Sequence, residues 1–256
     1  MNMAVKPKAD TAVGEILKLA IMAVGGQGGG VLTSWIETLA RSQGYDAQAT
    51  SVAGVSQRTG ATIYYLEMTP STGQQPVFAL APSGGDVDVL IAAEMMEVGR
   101  SIMRGFVTPD KTTLIGSTHR QLAVSEKSIP GDGIADADEV RAAAEVAAQR
   151  LILADMDRLA VEQGSVISAS LFGALAGSGA LPFTRAAFED AIRAGGKGWR
   201  RRCGPLMLAS RPQIKGRMHW RGHLSRMGQR SSDRKRRCAT GPRCLNRSRR
   251  CPSRCK

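Results

Sequence analysis

GGQGGGVLTSWIETLARSQGYDAQATSVAGVSQRTG, residues 25–60, is the stretch on which the fold reading turns. It follows an apolar run, LKLAIMAV, whose lack of alternation suits a strand covered on both faces of a parallel sheet. After the glycines, Val31, Leu32, Trp35, Ile36 and Leu39 recur at helical spacing, and Gly44 stands where a helix stop is expected. The order is therefore strand, glycine turn, helix, strand, polar loop. Such a turn exposes backbone N–H groups at a helix N-terminus, where a phosphate, a carboxylate or a partner's oxygen can be held. The other reading is that the glycines only permit a tight turn and close helix packing.

Two familiar nucleotide fingerprints fail on spacing. With Gly26 and Gly28 as the first glycines of G-x-G-x-x-G, the third position is Val31, and no Gly-Lys-Ser/Thr follows the cluster. Trp35 lies in the helical stripe and reads as core, with stacking on a ligand as its alternative. Arg58 is the long charged side chain of the polar loop, suited to clamping an anion or pairing across a subunit boundary, or else a solvated surface group.

Further along, Asp46–Ala53 and Ala61–Met68 read as strands on either side of that loop, and Val87–Ala93 as another buried strand. Met95–Met103 reads as a helix with Met96, Val98, Ile102 and Met103 inward. Thr112–Gly116 is a short strand followed by His119, the one histidine before residue 199, which reads as a satisfied loop residue rather than an acid or base. Asp136–Gln149 reads as a helix and LILADM as a strand; Asp155, Asp157 and Glu162 suit the start and surface of the next helix better than a metal cluster. Ser168–Gly177 is a small-residue helix able to pack closely, and Thr184 caps a helix that runs to Arg193 with Phe188 and Ile192 one turn apart.

The net charge of +13 is unevenly placed: nineteen of the thirty-five Lys and Arg lie in residues 199–256 beside one acid, Asp233, leaving the first 198 residues net acidic. All five cysteines also fall after residue 198, which removes residues 1–198 from consideration as an iron–sulfur carrier through thiolates. MNMAVKPKADTAVGE lacks a signal-peptide core and LKLAIMAV is too short to span a bilayer, so the expectation is a cytoplasmic protein with no membrane segment.

Residues 199–256 show no hydrophobic period and should not fold alone. His219 and His223 before Cys238, Cys244, Cys251 and Cys255 match no ordinary zinc finger, and charge alone supplies only nonspecific affinity for nucleic acid. An out-of-frame origin accounts for the abrupt change at Gly198. WRRRCGPLMLA can be encoded so that one added G restores VEASLRAFDAG, an amphipathic helix with Val, Leu and Phe at i, i+4 and i+7.

Taken with its flanks, AVGGQGGGVLTSWIETLARSQGYDAQATSVAGVSQRTGATIYYLEM resembles the gamma-type catalytic domain of the 2-oxoacid:ferredoxin oxidoreductases, the pyruvate/ketoisovalerate oxidoreductase family. Within that group it is most similar to the indolepyruvate:ferredoxin oxidoreductase beta-subunit branch. The GGQG turn is matched at Gly25, Gly26, Gln27 and Gly28, and the G-x-SQR-x-G loop at Gly54, Ser56, Gln57, Arg58 and Gly60. Similarity extends more weakly through LIAAEMMEVGR and SASLFGALAGSGALPFTRAAFEDAIRAGGKG, and so covers most of residues 17–198.

The resemblance implies an α/β chain: a flexible arm at 1–15, a three-layer Rossmann-like domain with a largely parallel sheet at 16–198, and an unstructured basic tail at 199–256. It also implies a part in the oxidative decarboxylation of a 2-oxoacid, an aryl pyruvate in this branch, to an acyl-CoA, with coenzyme A as co-substrate and ferredoxin as electron acceptor. Thiamine diphosphate, Mg2+ and 4Fe-4S clusters are then expected in an alpha-type partner subunit of a hetero-oligomer. Gly131, Asp132 and Gly133 match the triplet of a thiamine signature without its sequel. The competing classes are a stand-alone nucleotide-binding protein using the glycine turn and a basic nucleic-acid-binding protein.

Overall fold

In the computed structural model the apolar run becomes β1 (Leu17–Ala23), the centre of a six-stranded sheet of order β2-β3-β1-β4-β5-β6. The structure describes residues 16–52, 62–122, 126, 128, 130 and 134–194. The arm, the loop carrying Gly54, Ser56, Gln57, Arg58 and Gly60, the Gly131–Gly133 triplet and the basic tail lie outside the described residues.

β2 (Tyr45–Val52) pairs antiparallel with β3 (Thr62–Pro70), and β3 pairs antiparallel with β1. On the other side β1, β4 (Val89–Ala92), β5 (Thr113–Ser117) and β6 (Arg150–Ala154) run parallel. The unbroken hydrophobicity of β1 follows from burial on both faces, since successive side chains alternate across a sheet. Leu19, Ile21 and Ala23 enter one core, and Ala20 and Met22 the other.

Helices cover both faces. The first core is closed by α1 (Gly29–Ser42), α5 (Ile167–Ser178) and α6 (Arg185–Ala194), which supply Leu32, Trp35, Ile36, Leu39, Phe172, Phe188 and Ile192. Short α4 (Met156–Glu162) joins them through Met156. The second core is closed by α2 (Met95–Met103) and α3 (Ala137–Ala147) through Met95, Val98 and Ala144. The result is the three-layer α/β arrangement expected from the sequence.

Two side chains depart from the expected faces. Met103 is 89% exposed because α2 turns Met95, Glu97, Val98 and Ser101 inward; helical rotation carries its last residue to solvent. Val31 is 45% exposed in the first turn of α1, where it borders a pocket instead of entering the core. Trp35, by contrast, is core: it is 4% exposed, with its ring 5.7 Å from that of Phe172.

The packing of α1 onto the sheet depends on Gly29. A Cβ there would lie 2.4 Å from Cε2 of Tyr64 and 2.9 Å from Cβ of Ala23. Gly29→Ala is therefore expected to cost about 1–3 kcal/mol through overpacking. At the neighbouring Gly30 a Cβ would approach Tyr64 no closer than 3.6 Å, an ordinary contact, so Gly30→Ala should be neutral or mildly stabilising. Urea unfolding of the two variants checks this, and equal midpoints would sink the close-contact argument.

Candidate functional site

Helices leave the sheet for opposite faces after β1 and after β4, and these strands are neighbours. In an open α/β sheet the crevice at the carboxyl ends of such a pair is where ligands bind. The Gly25–Gly28 turn stands at the end of β1, in that crevice. Gly26 has φ of 95° and Gly28 of 72°, conformations that glycine reaches without strain. Gln27 is 5% exposed and closes the turn on itself: its N–H donates to the Val24 carbonyl at 3.2 Å, and Val24 N–H donates to its Oε1 at 2.8 Å.

Gly28 is the N-cap of α1 and carries no capping side chain. Val166, the N-cap of α5, makes no side-chain capping bond either. The first-turn N–H groups of both helices therefore lack the side-chain acceptor that usually claims one of them. Both ends open on one pocket of about 550 Å³, lined by Gly26, Gln27 and Gly28 on one side and by Ser165, Ser168 and Asp157 on the other. Ser168 is 2% exposed, and its Oγ lies so close to Gly28 that a Cβ there would stand 3.1 Å from it. The buried Ser165 hydroxyl has no hydrogen-bond partner among the described residues. Val31 and Val166, both partly exposed, form an apolar lip.

The Ser165 hydroxyl and two positive helix ends favour a ligand rich in acceptor oxygens, while the Asp157 carboxylate offers an acceptor to a hydroxyl or amide of the same ligand. This composition suits an extended molecule with phosphate at one end and amides or hydroxyls along its length.

The neighbouring strand ends carry charge. Glu94, 2% exposed, follows β4 and caps α2 by accepting from Glu97 N–H at 3.1 Å, and its other oxygen pairs with Arg120 at 2.9 Å. Glu97 is 1% exposed; one oxygen pairs with Arg100 at 2.8 Å and the other has no hydrogen-bond partner among the described residues. Burial, only partly opposed by the Arg100 charge, pushes its pKa up to about 7.

Of the residues singled out from sequence, Gly26, Gln27 and Gly28 meet in the pocket, whereas the Ser56–Arg58 loop lies outside the described residues. Asp155 caps α4 by accepting from Arg158 N–H at 3.0 Å, and Asp157 turns to the pocket. Among the described residues no group of three or more His, Cys, Asp or Glu is placed to hold a metal. Three contributors were missed in the sequence. Ser165 and Ser168 belong to a small-residue segment without a spacing signal, and His119 comes close to Gln27 only through the adjacency of strands distant in sequence.

Residues 18–199 match the family model described as pyruvate ferredoxin/flavodoxin oxidoreductase. No curated protein matches the chain. Among solved structures, the fold is similar to pyruvate oxidoreductase subunit PORC of Thermotoga maritima, at 16% identity and a TM-score of 0.55, covering 77% of this chain and 96% of that one. It is similar to the gamma subunit of a keto/oxoacid ferredoxin oxidoreductase of Geobacter sulfurreducens, at 14% identity and a TM-score of 0.50, covering 76% and 96%. It also resembles part of a 2-oxoglutarate:ferredoxin oxidoreductase of Magnetococcus marinus, at 10% identity and a TM-score of 0.50, covering 77% of this chain and 30% of that one.

Proposed function

The chain belongs to the pyruvate ferredoxin/flavodoxin oxidoreductase family, and on that premise we propose that it is the gamma-type subunit of a 2-oxoacid:ferredoxin oxidoreductase, supplying the pocket that holds coenzyme A. The observation that carries this reading is the convergence of two helix N-termini, the Ser165 hydroxyl, unpartnered among the described residues, and Ser168 on one pocket beside the Gly25–Gly28 turn. Phosphate oxygens are matched by the N–H groups and hydroxyls, and the amides and hydroxyls of the pantetheine arm by Asp157 and the apolar lip.

The residues present do not fit the family's other groups. Residues 1–198 contain no cysteine for an iron–sulfur cluster, and Gly131–Asp132–Gly133 lacks the metal-binding sequel of a thiamine signature. We assign thiamine diphosphate, Mg2+ and the 4Fe-4S clusters to an alpha-type partner, with ferredoxin as acceptor and the hetero-oligomer in the cytoplasm. The similarity at Gly25–Gly28 and at Gly54, Ser56, Gln57, Arg58 and Gly60 supports an aryl pyruvate, of the indolepyruvate type, as the 2-oxoacid. Residues 199–256 are read as translated out of frame, which sequencing the gene across the Gly198 codon tests.

The full chain should bind coenzyme A in calorimetric titration, yet reduce no acceptor dye with a 2-oxoacid and added thiamine diphosphate. Tight retention of a mononucleotide without affinity for coenzyme A, or turnover by the chain by itself, would overturn the assignment. In the complex, Arg58→Ala should lower activity or assembly about ten- to hundredfold, the loss of one charge-assisted contact, with an unchanged melting temperature. Lysine should rescue poorly if the contact is bidentate. Normal activity and assembly in Arg58→Ala would return Ser56, Gln57 and Arg58 to an ordinary surface loop.

A further inference from the structure

His119 follows β5, yet its ring reaches the glycine turn after β1: its Nε2 lies 3.3 Å from Gln27 Nε2 and its Nδ1 lies 2.9 Å from Ser117 Oγ. The direction of each bond follows from one fixed donor. Val24 N–H can only donate, so Gln27 must present Oε1 to it and Nε2 to His119. An amide nitrogen only donates, so His119 Nε2 accepts and the imidazole proton sits on Nδ1, where it donates to Ser117 Oγ. That same oxygen accepts from Met156 N–H at 3.1 Å, and Ser117 is fully buried. The chain of bonds thus ties the end of β1 to the end of β5 and the start of α4, three segments at the rim of the crevice.

We infer that His119 is a positioning residue: through its Nε2 it holds the Gln27 amide in the one orientation that closes the Gly25–Gly28 turn, and so presets the pocket for its anionic ligand. Gln27 is 5% exposed, and its amide is oriented from both ends among the described residues. Without the imidazole, Gln27 Nε2 is left as a buried donor without acceptor. The amide is then free to rotate away from Val24, and the turn loses its side-chain tie.

The ligand part rests on the coenzyme A reading above, so the test has one arm that needs no ligand. Hydrogen–deuterium exchange of the full chain is compared for wild type, His119→Leu and His119→Gln, followed by calorimetric titration with coenzyme A. His119→Leu should speed exchange at Val24 and Gln27 and weaken coenzyme A binding, each about tenfold, the effect of one unsatisfied buried donor. Protection across α6 should stay as in wild type. His119→Gln, whose side-chain oxygen can accept from Gln27, should restore most of both. Unchanged exchange at Val24 and Gln27 in His119→Leu would overturn the inference, as would a loss of protection spread evenly over the sheet. Altered exchange with coenzyme A affinity absent from all three proteins would uphold His119 as the support of the turn and remove the coenzyme A reading, whereas altered exchange with equal affinity in all three would overturn the presetting of the pocket.

Discussion

Phe172→Ala is expected to lower the unfolding free energy by about 3–5 kcal/mol, the range for deleting a fully buried aromatic side chain. Phe172 is 0% exposed in the middle of α5, its ring centroid 5.7 Å from that of Trp35 on α1 and 4.9 Å from that of Phe188 on α6. It is thus the shared neighbour of α1 and α6. Its removal opens a cavity where three backbones meet, and each is held to the sheet by further contacts, so the site is poorly able to collapse. Chemical denaturation followed by circular dichroism gives the difference directly. Met103→Ala, at a residue 89% exposed, should stay within about 0.5 kcal/mol of wild type and serves as the control. A Phe172→Ala loss below about 1 kcal/mol would contradict the packing described for this layer.

Glu97 should make stability fall with rising pH, opposite to the usual carboxylate. Its pKa is raised from the ordinary 4.5 to about 7 by burial, so the folded chain binds a proton that the unfolded chain has already released. The contribution is fully present below about pH 4.5 and is lost as pH rises through about 7, a difference on the order of 3 kcal/mol. Glu97→Gln keeps the shape and an oxygen for Arg100 but cannot ionise. Its unfolding free energy should lie near that of wild type at pH 5 and exceed it at pH 8. Parallel stability profiles for the two proteins from pH 5 to pH 8 would show that the unpartnered oxygen is hydrated rather than buried.

Much of the fold was legible because its signals are local. β1 is hydrophobic at every position because both faces are covered, and Gly28 precedes α1 because the turn needs positive φ. The segments read as strands after Gly44, Gly85 and Lys111 are all present, with ends moved by a residue or two. What the chain does not display is which residues meet across the sheet. The order β1-β4-β5 brings His119 to Gln27 across ninety-two positions of sequence, and no periodicity reports such a neighbour. Apolarity also misled at Met103, since α2 buries two glutamates' neighbourhood, Glu94 and Glu97, in place of its terminal methionine. Ser165 was invisible for a related reason: a hydroxyl becomes informative only when its surroundings leave it without a bond.

The Tyr64 ring that crowds Gly29 carries a consequence for how the chain can change length. Tyr64 lies two residues into β3 and shares the α1 face with Leu66 and Met68, while Ile63 and Tyr65 face the other core. One residue inserted between Tyr64 and Leu66 would exchange these faces, taking the ring away from Gly29 or turning two core side chains out. Residues inserted before Thr62 impose no such exchange, because a connection can lengthen at little cost without disturbing the ladder of Ile21 with Tyr64. Insertions and deletions among functional relatives should therefore collect ahead of Thr62, in the connection that holds Ser56, Gln57 and Arg58, and stop at the strand. The glycine turn keeps its aromatic neighbour whatever the length of the connection ahead of Thr62, so the chain can be lengthened there without rebuilding the turn.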